Sequence, residues 1–380
     1  MKKYVSGEKK LFSSNIEYAT IKECLDYCKN LDVIGFDSET TGDDPYKDKI
    51  LCIQLGDKEI QYIIDASTIL LSSFKFLFED RNKIFVIQNA QFDLRFLYYL
   101  EIYPENVYDT MLVEFIINGG YNDEQDKKDI EDVSNPNMAE KAIIRKADLN
   151  SLTEKYCDIS LDKSIRGNIH IEGLTERVII YAGNDVKYLP EIREKQLAII
   201  EKYKEKYGID GQVVDLENEV VKVISRMVYN GVTIDSQKYR TKVLPSVKKA
   251  VNDTIVDLDN YIHKDDNFKI FRTHQMDMFD TRLKTDINWN SPAQKLDVLG
   301  KIYPDIKSTN KETLKKEVKH PIGKALLEYN KHKKLENAFG EKLLDKINPV
   351  TKKVHPSVWQ ILATGRISMS NPNLLQIPSK

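Results

Sequence analysis

Between residues 31 and 65 the apolar positions come in short dense runs. They are Leu-Asp-Val-Ile-Gly-Phe-Asp (31–37), Ile-Leu-Cys-Ile-Gln-Leu-Gly (50–56) and Glu-Ile-Gln-Tyr-Ile-Ile-Asp (59–65). Runs this short, rich in β-branched residues and bounded by turn formers, predict strands. The polar stretch after the first run turns the chain, and Gly56–Lys58 makes a short turn between the other two. A helix is expected around Ser67–Glu79, a fully apolar strand over 84–89, and a helix directly after it in Gln-Phe-Asp-Leu-Arg-Phe-Leu-Tyr-Tyr-Leu (91–100). Residues 119–147 lose periodicity and become polar, which reads as a surface insertion. Helical spacing resumes over 149–156, with Asn150 or Ser151 as the cap. It runs strongly over 174–207 with a break near Pro190. After a linker at 208–214 the pattern is almost wholly helical: 215–230, 236–262, 292–301, 311–318 and 322–347. The chain thus reads as an α/β domain of roughly 200 residues followed by a helical one.

A length of 380 residues suits two or three domains, and 41% hydrophobic residues are enough to build their cores. No stretch of eighteen apolar residues exists to cross a membrane, and the basic start Met-Lys-Lys-Tyr-Val lacks the apolar core of a secretory signal. Cys24, Cys28, Cys52 and Cys157 are scattered without zinc spacing and read as reduced thiols of a cytoplasmic protein. A net charge of −2 argues against a chain that coats nucleic acid along its whole length. The charge is uneven, however. Between Lys311 and Lys353 twelve lysines face six acidic residues, whereas Asn122–Asp132 is acidic. One region would attract phosphates and another repel them.

The candidate chemistry lies in carboxylates at element ends. Asp37 and Glu39 close the first strand, and a period of two puts both on one face, where they can share a cation. Asp-x-Glu recurs at Asp57–Glu59, Asp129–Glu131 and Asp215–Glu217, so position distinguishes the first copy. It follows a buried strand and precedes a loop. Asp93 follows the second apolar strand, in Asn-Ala-Gln-Phe-Asp, where it could equally serve a helix's positive end. Tyr181 and Asp185 share a helix face at i, i+4. In this order, at these spacings, four carboxylates would meet over one sheet. Burying them together is very costly without cations. Hard divalent ions such as Mg²⁺ or Mn²⁺ remove that cost, and a pair of them about 4 Å apart can clamp a phosphoryl displacement.

Phe-Asp-Ser-Glu-Thr, Asn-Ala-Gln-Phe-Asp and Tyr-Ala-Gly-Asn-Asp resemble the three exonuclease motifs of the DEDD proofreading superfamily, in the subgroup with Tyr in the third motif. The resemblance implies a ribonuclease H-like fold and 3′–5′ hydrolysis of DNA ends with two divalent cations. It assigns Asp37, Glu39 and Asp185 to one metal. Asp37 also reaches the second, with Asp93 bound to it or in its outer shell. Tyr181 and Glu39 would orient the attacking water, and Asn89 would help hold the terminal nucleotide of a single-stranded 3′ end.

Ala-Thr-Gly-Arg-Ile-Ser-Met-Ser-Asn-Pro-Asn-Leu-Leu-Gln-Ile-Pro (363–378) resembles the segment leading into the palm of family A DNA polymerases. There Arg366 matches an arginine that reaches the primer-terminal minor groove, whose acceptors exist on every base pair. Gln376 keeps a polar position of that segment, and Leu375 replaces another. Residues 216–235, 290–300 and 320–339 resemble the start of the polymerase region and its thumb. The lysine-rich thumb helices, with Lys331, Lys333 and Lys334, would meet primer-template phosphates without regard to sequence. The expected domains are therefore a 3′–5′ exonuclease domain (1–207), a mainly α-helical thumb (208–350) and the start of a palm (351–380). Since the palm and fingers motifs would lie downstream, the resemblance implies a separate palm-and-fingers polypeptide as partner, no DNA synthesis by this chain alone, and a phage-like split polymerase or a fragment. A free-standing nuclease of the ribonuclease D type would share the carboxylates but leaves residues 216–378 unexplained. A non-catalytic DNA-clamping subunit would not need the intact carboxylate set.

Overall fold

The computed structural model describes residues 1–12, 16–118, 147–162, 169–208, 211–272, 285–362 and 365–377. The expected surface insertion at 119–147 lies almost wholly outside the described residues. The strands of the main sheet are β1 (Lys2–Val5), β2 (Ile16–Ala19), β3 (Val33–Thr40), β4 (Ile50–Gly56), β5 (Gln61–Asp65), β6 (Ile84–Ile87) and β7 (Val107–Asp109). They lie in the order β2-β1-β5-β4-β3-β6-β7. β4 runs antiparallel to both neighbours, and the other pairings are parallel. Leaving aside single-turn pieces, the helices around this sheet are α1 (Ile21–Lys29), α2 (Ala90–Tyr99), α3 (Thr110–Ile117), α4 (Leu149–Cys157), α5 (Glu176–Lys187), α6 (Leu189–Tyr207) and α7 (Gln212–Asn230).

The predicted strands β3, β4, β5 and β6 form where the apolar runs are, because each run is buried on at least one face. Ile34 and Phe36 of β3 join Ile53, Leu55, Phe78, Phe85, Leu94 and Leu97 in the largest core cluster, roofed by α1 and α2. On the other face Val86 packs with Val186, Leu189 and residues of α6. Cys24 and Cys28 are fully buried in the first core, and all four cysteines are free thiols. The expected break near Pro190 falls at Tyr188, which ends α5 and starts α6, with proline in the first turn of α6 where its missing N–H costs nothing. The strands β1, β2 and β7 are not predicted by the pattern. Three or four residues are too few to show a period, and β1 sits in the lysine-rich start. Similarly, the helix expected over Ser67–Glu79 is a 3₁₀ turn (Leu71–Phe74) followed by one α turn (Lys75–Phe78).

The chain packs as two compact units. The first is Met1–Gly231 with His355–Asn371, the second Val232–Val354 with Pro372–Lys380. These limits differ from the motif boundaries after residues 207 and 350. α7 stays with the first unit because Val221 enters its core, Lys222 O accepts from Tyr98 Oη at 3.1 Å, and Asn218 Oδ1 accepts from Asp109 N at 2.8 Å. The second unit is mainly helical: α8 (Leu244–Lys264), α9 (Pro292–Gly300), α10 (Lys311–Lys316) and α11 (Pro321–Phe339) surround Leu258, Ile262, Phe268, Val298, Leu326 and Tyr329. The helix expected over 322–347 ends at Phe339, since Gly340 is extended and a separate turn, Glu341–Leu344, follows. No helix among the described residues is long and apolar enough to cross a membrane.

Candidate active site

β3 alternates between its two faces, so Gly35, Asp37 and Glu39 share the face opposite Ile34 and Phe36. Gly35 sets how close the helices come to that face. A Cβ there would stand 2.5 Å from Val186 O and 3.4 Å from Pro190 Cδ. Without a side chain at Gly35, the α5–α6 junction settles directly onto β3 and brings Asp185 over Asp37. One carboxylate oxygen each from Asp37, Glu39 and Asp185 lies within 4.8 Å of the others. Such an arrangement of like charges fits a hard divalent cation with oxygen ligands. Tyr181, one turn before Asp185, packs its ring with Ile169 and Val178 and lines the same cleft. The cleft has a volume of about 630 Å³.

Asp93 reaches the cleft from α2, on the other side of β3. It is not among the three clustered ligands; Ser38, which alternates to the opposite face from Asp37 and Glu39, donates its hydroxyl hydrogen bond to Asp93 Oδ1. Burial pushes the Asp93 carboxyl well above its ordinary value and the Asp37 charge pushes it further, while the Ser38 hydrogen bond acts in the opposite direction. A cation at the cleft would reverse that electrostatic balance.

Asn89 stands at the start of α2 in the left-handed conformation, with φ 58°, which asparagine tolerates better than most residues. Asp109 holds it there: its carboxylate accepts from Asn89 N at 3.1 Å and Ala90 N at 2.7 Å. The same carboxylate caps α3 through Met111 N at 2.9 Å and Leu112 N at 3.3 Å. Burial raises the Asp109 carboxyl to about 6, with these four N–H groups pulling it down. Asp109 was not singled out by the sequence, and an isolated Asp at the end of a three-residue strand gives no signal. Gln88, Phe92, Met111 and Leu149 also line the cleft. Of these only Phe92 carried a hint, by standing next to Asp93 in its motif.

The remaining candidates do not line this cleft. Arg366 is exposed beside a two-stranded hairpin (Ser357–Trp359 with Ser368–Ser370), and its carbonyl accepts from Leu362 N at 3.0 Å. Gln376 is exposed in a 3₁₀ turn (Leu374–Gln376), beside the exposed Leu375. Lys331, Lys333 and Lys334 lie on α11 of the second unit. Lys331 is 3.2 Å from Glu328 and Lys333 2.5 Å from Glu336, surface pairs that are weak in water and yield readily to a phosphate.

Residues 16–201 match the 3′–5′ exonuclease family, and residues 259–380 match DNA polymerase family A. The chain thus matches the N-terminal part of a family A DNA polymerase. DNA polymerase I of Aquifex aeolicus is 24% identical over 392 residues, covering 96% of this chain and 58% of that protein. DNA polymerase I of Borreliella burgdorferi is 26% identical over 397 residues, covering 97% of this chain and 38% of that protein. The chain therefore spans about four to six tenths of the length of those relatives. The POL domain of Pol1 from M. smegmatis, solved in complex with DNA primer-template and dNTP, superposes over 91% of this chain and 52% of that one. Its TM-score is 0.60 at 17% identity, which shows a shared fold. The mixed sheet and its helices are thus the ribonuclease H-like exonuclease domain of a family A polymerase, followed by a mainly helical region.

Proposed function

We propose that this chain removes nucleotides from the 3′ ends of DNA as the proofreading part of a family A polymerase. The observation that supports this most directly is the convergence of Asp37, Glu39 and Asp185 within 4.8 Å in an open cleft of nucleotide size. Asp37, Glu39 and Asp185 would hold one Mg²⁺ or Mn²⁺. Asp37 and Asp93 would hold a second. Bound there, the two cations would stabilise the charge that builds on the attacking and leaving oxygens. Glu39 and Tyr181 position the water on the far side of the scissile phosphorus from the leaving 3′-oxygen. That water's oxygen bonds to phosphorus as the P–O3′ bond breaks. The product strand keeps a 3′-hydroxyl, and a nucleoside 5′-monophosphate leaves. Asn89 holds the terminal nucleotide from the left-handed turn that Asp109 fixes, and Phe92 offers a ring face to its base.

Lys331, Lys333 and Lys334 of the second unit would contact the phosphates of a primer-template duplex, and Arg366 of the first unit and Gln376 of the second would contact the primer terminus, beside the palm and fingers of such a polymerase. The test uses a 5′-labelled single-stranded DNA oligonucleotide. The expected result is a ladder shortening from the 3′ end that needs Mg²⁺ or Mn²⁺ and stops on chelation. Equal cleavage in chelator, or internal cuts, would remove the reading. Preference for RNA over DNA would favour a ribonuclease D type of role.

A further inference from the structure

We propose that Trp359, from the polymerase-matching part of the chain, is a positioning residue for the nuclease cleft. Trp359 belongs to the stretch that matches DNA polymerase family A, yet His355–Asn371 packs within the nuclease unit. Its indole meets the Phe115 ring edge-on, with centroids 5.4 Å apart and planes at 73°. It packs in one cluster with Met111, Phe115 and Ala147. Two of these contacts bear on the cleft. Met111 lines it directly. The Ala147 carbonyl accepts from Gln88 Nε2 at 2.7 Å, and Gln88 lines it too. The indole is itself fixed, since Nε1 donates to Ile361 O at 2.6 Å. The next residue, Gln360, is buried and donates through Nε2 to Glu217 O at 2.8 Å and Glu217 Oε2 at 2.6 Å, tying the hairpin to α7.

Trp359 is not among the residues that line the cleft. It backs the wall against which a terminal nucleotide would rest. A close-packed wall yields when a large ring behind it is removed, because the lost volume is only partly refilled. The consequence is selective: strand seating suffers, while the carboxylate cluster on β3 and α5 keeps its geometry. The polymerase-side hairpin that carries Arg366 thereby helps build the nuclease cleft.

This inference rests on the nuclease reading, and its test keeps the two apart. Steady-state removal of 3′ nucleotides from a single-stranded DNA oligonucleotide is measured for the full chain and for Trp359→Ala, Trp359→Phe, Met111→Ala and Trp359→Ala with Met111→Ala. Oligonucleotide binding is followed in parallel by fluorescence anisotropy in Ca²⁺. Trp359→Ala is expected to raise KM and Kd about tenfold while kcat stays within about twofold, the signature of lost strand seating. Trp359→Phe restores most of the loss by keeping a ring against Phe115. The double variant is no worse than the poorer single one, since both changes open the same wall. Unchanged KM and Kd in folded Trp359→Ala would overturn the proposal. So would an equal fall in kcat without rescue by Trp359→Phe, or strict additivity with Met111→Ala. If the unaltered chain cleaves nothing, the nuclease reading fails, and the anisotropy arm still decides whether Trp359 seats the strand.

Discussion

Replacing Asp37 and Glu39 together by alanine is expected to lower the rate of 3′-nucleotide removal by about a thousandfold or more. The two supply carboxylate oxygens within 4.8 Å of each other and of Asp185, and a bound cation there is worth several kcal/mol of transition-state charge stabilisation at about tenfold in rate per 1.36 kcal/mol. The fold should survive, because both side chains end a strand on a partly exposed face and their removal relieves repulsion among like charges. The thermal midpoint in metal-free buffer should stay level or rise. Retained activity in a folded double variant would remove the carboxylate cluster from the reaction.

The second large effect separates two residues on one helix turn. Asp185→Ala removes one of the three clustered ligands and should cost activity on the scale of the double variant. Tyr181→Phe keeps the ring packed against Ile169 and Val178 and loses only a hydroxyl. Orienting a water contributes on a general acid–base scale, about 10²–10⁴-fold at most. Side-by-side kcat values on one oligonucleotide at saturating Mg²⁺ give the order. A greater loss in Tyr181→Phe than in Asp185→Ala would reverse the roles assigned here.

Why the site was legible and parts of the fold were not follows from what each depends on. Asp37, Glu39, Tyr181 and Asp185 advertise themselves because strand and helix periods alone put them on shared faces, next to elements the apolar runs already mark. What the spacing does not contain is the depth of approach. That depth depends on Gly35, where any side chain would strike Val186 O. Nor does spacing reveal that Ser38 takes up Asp93, a contact between residues 55 apart in sequence. Asp109 went unnoticed for a similar reason, since a buried carboxylate serving four backbone N–H groups looks like any other Asp until the strands are assembled. The boundary between units depends equally on tertiary contacts. Helix α7 and the hairpin around Trp359 follow their packing partners rather than the motif to which their sequence belongs.

The central claim is that Asp37, Glu39 and Asp185 form a cation site that works on a DNA 3′ end. The most direct measurement is anomalous scattering from crystals of the chain grown with Mn²⁺ and a short single-stranded DNA oligonucleotide. A Mn²⁺ peak within coordination distance of all three carboxylates, about 2.0–2.2 Å as for small octahedral oxygen-bound cations, with the 3′-terminal phosphate among its ligands, is the predicted result. A cleft without manganese while the oligonucleotide's 3′ end is ordered elsewhere on the chain would contradict it.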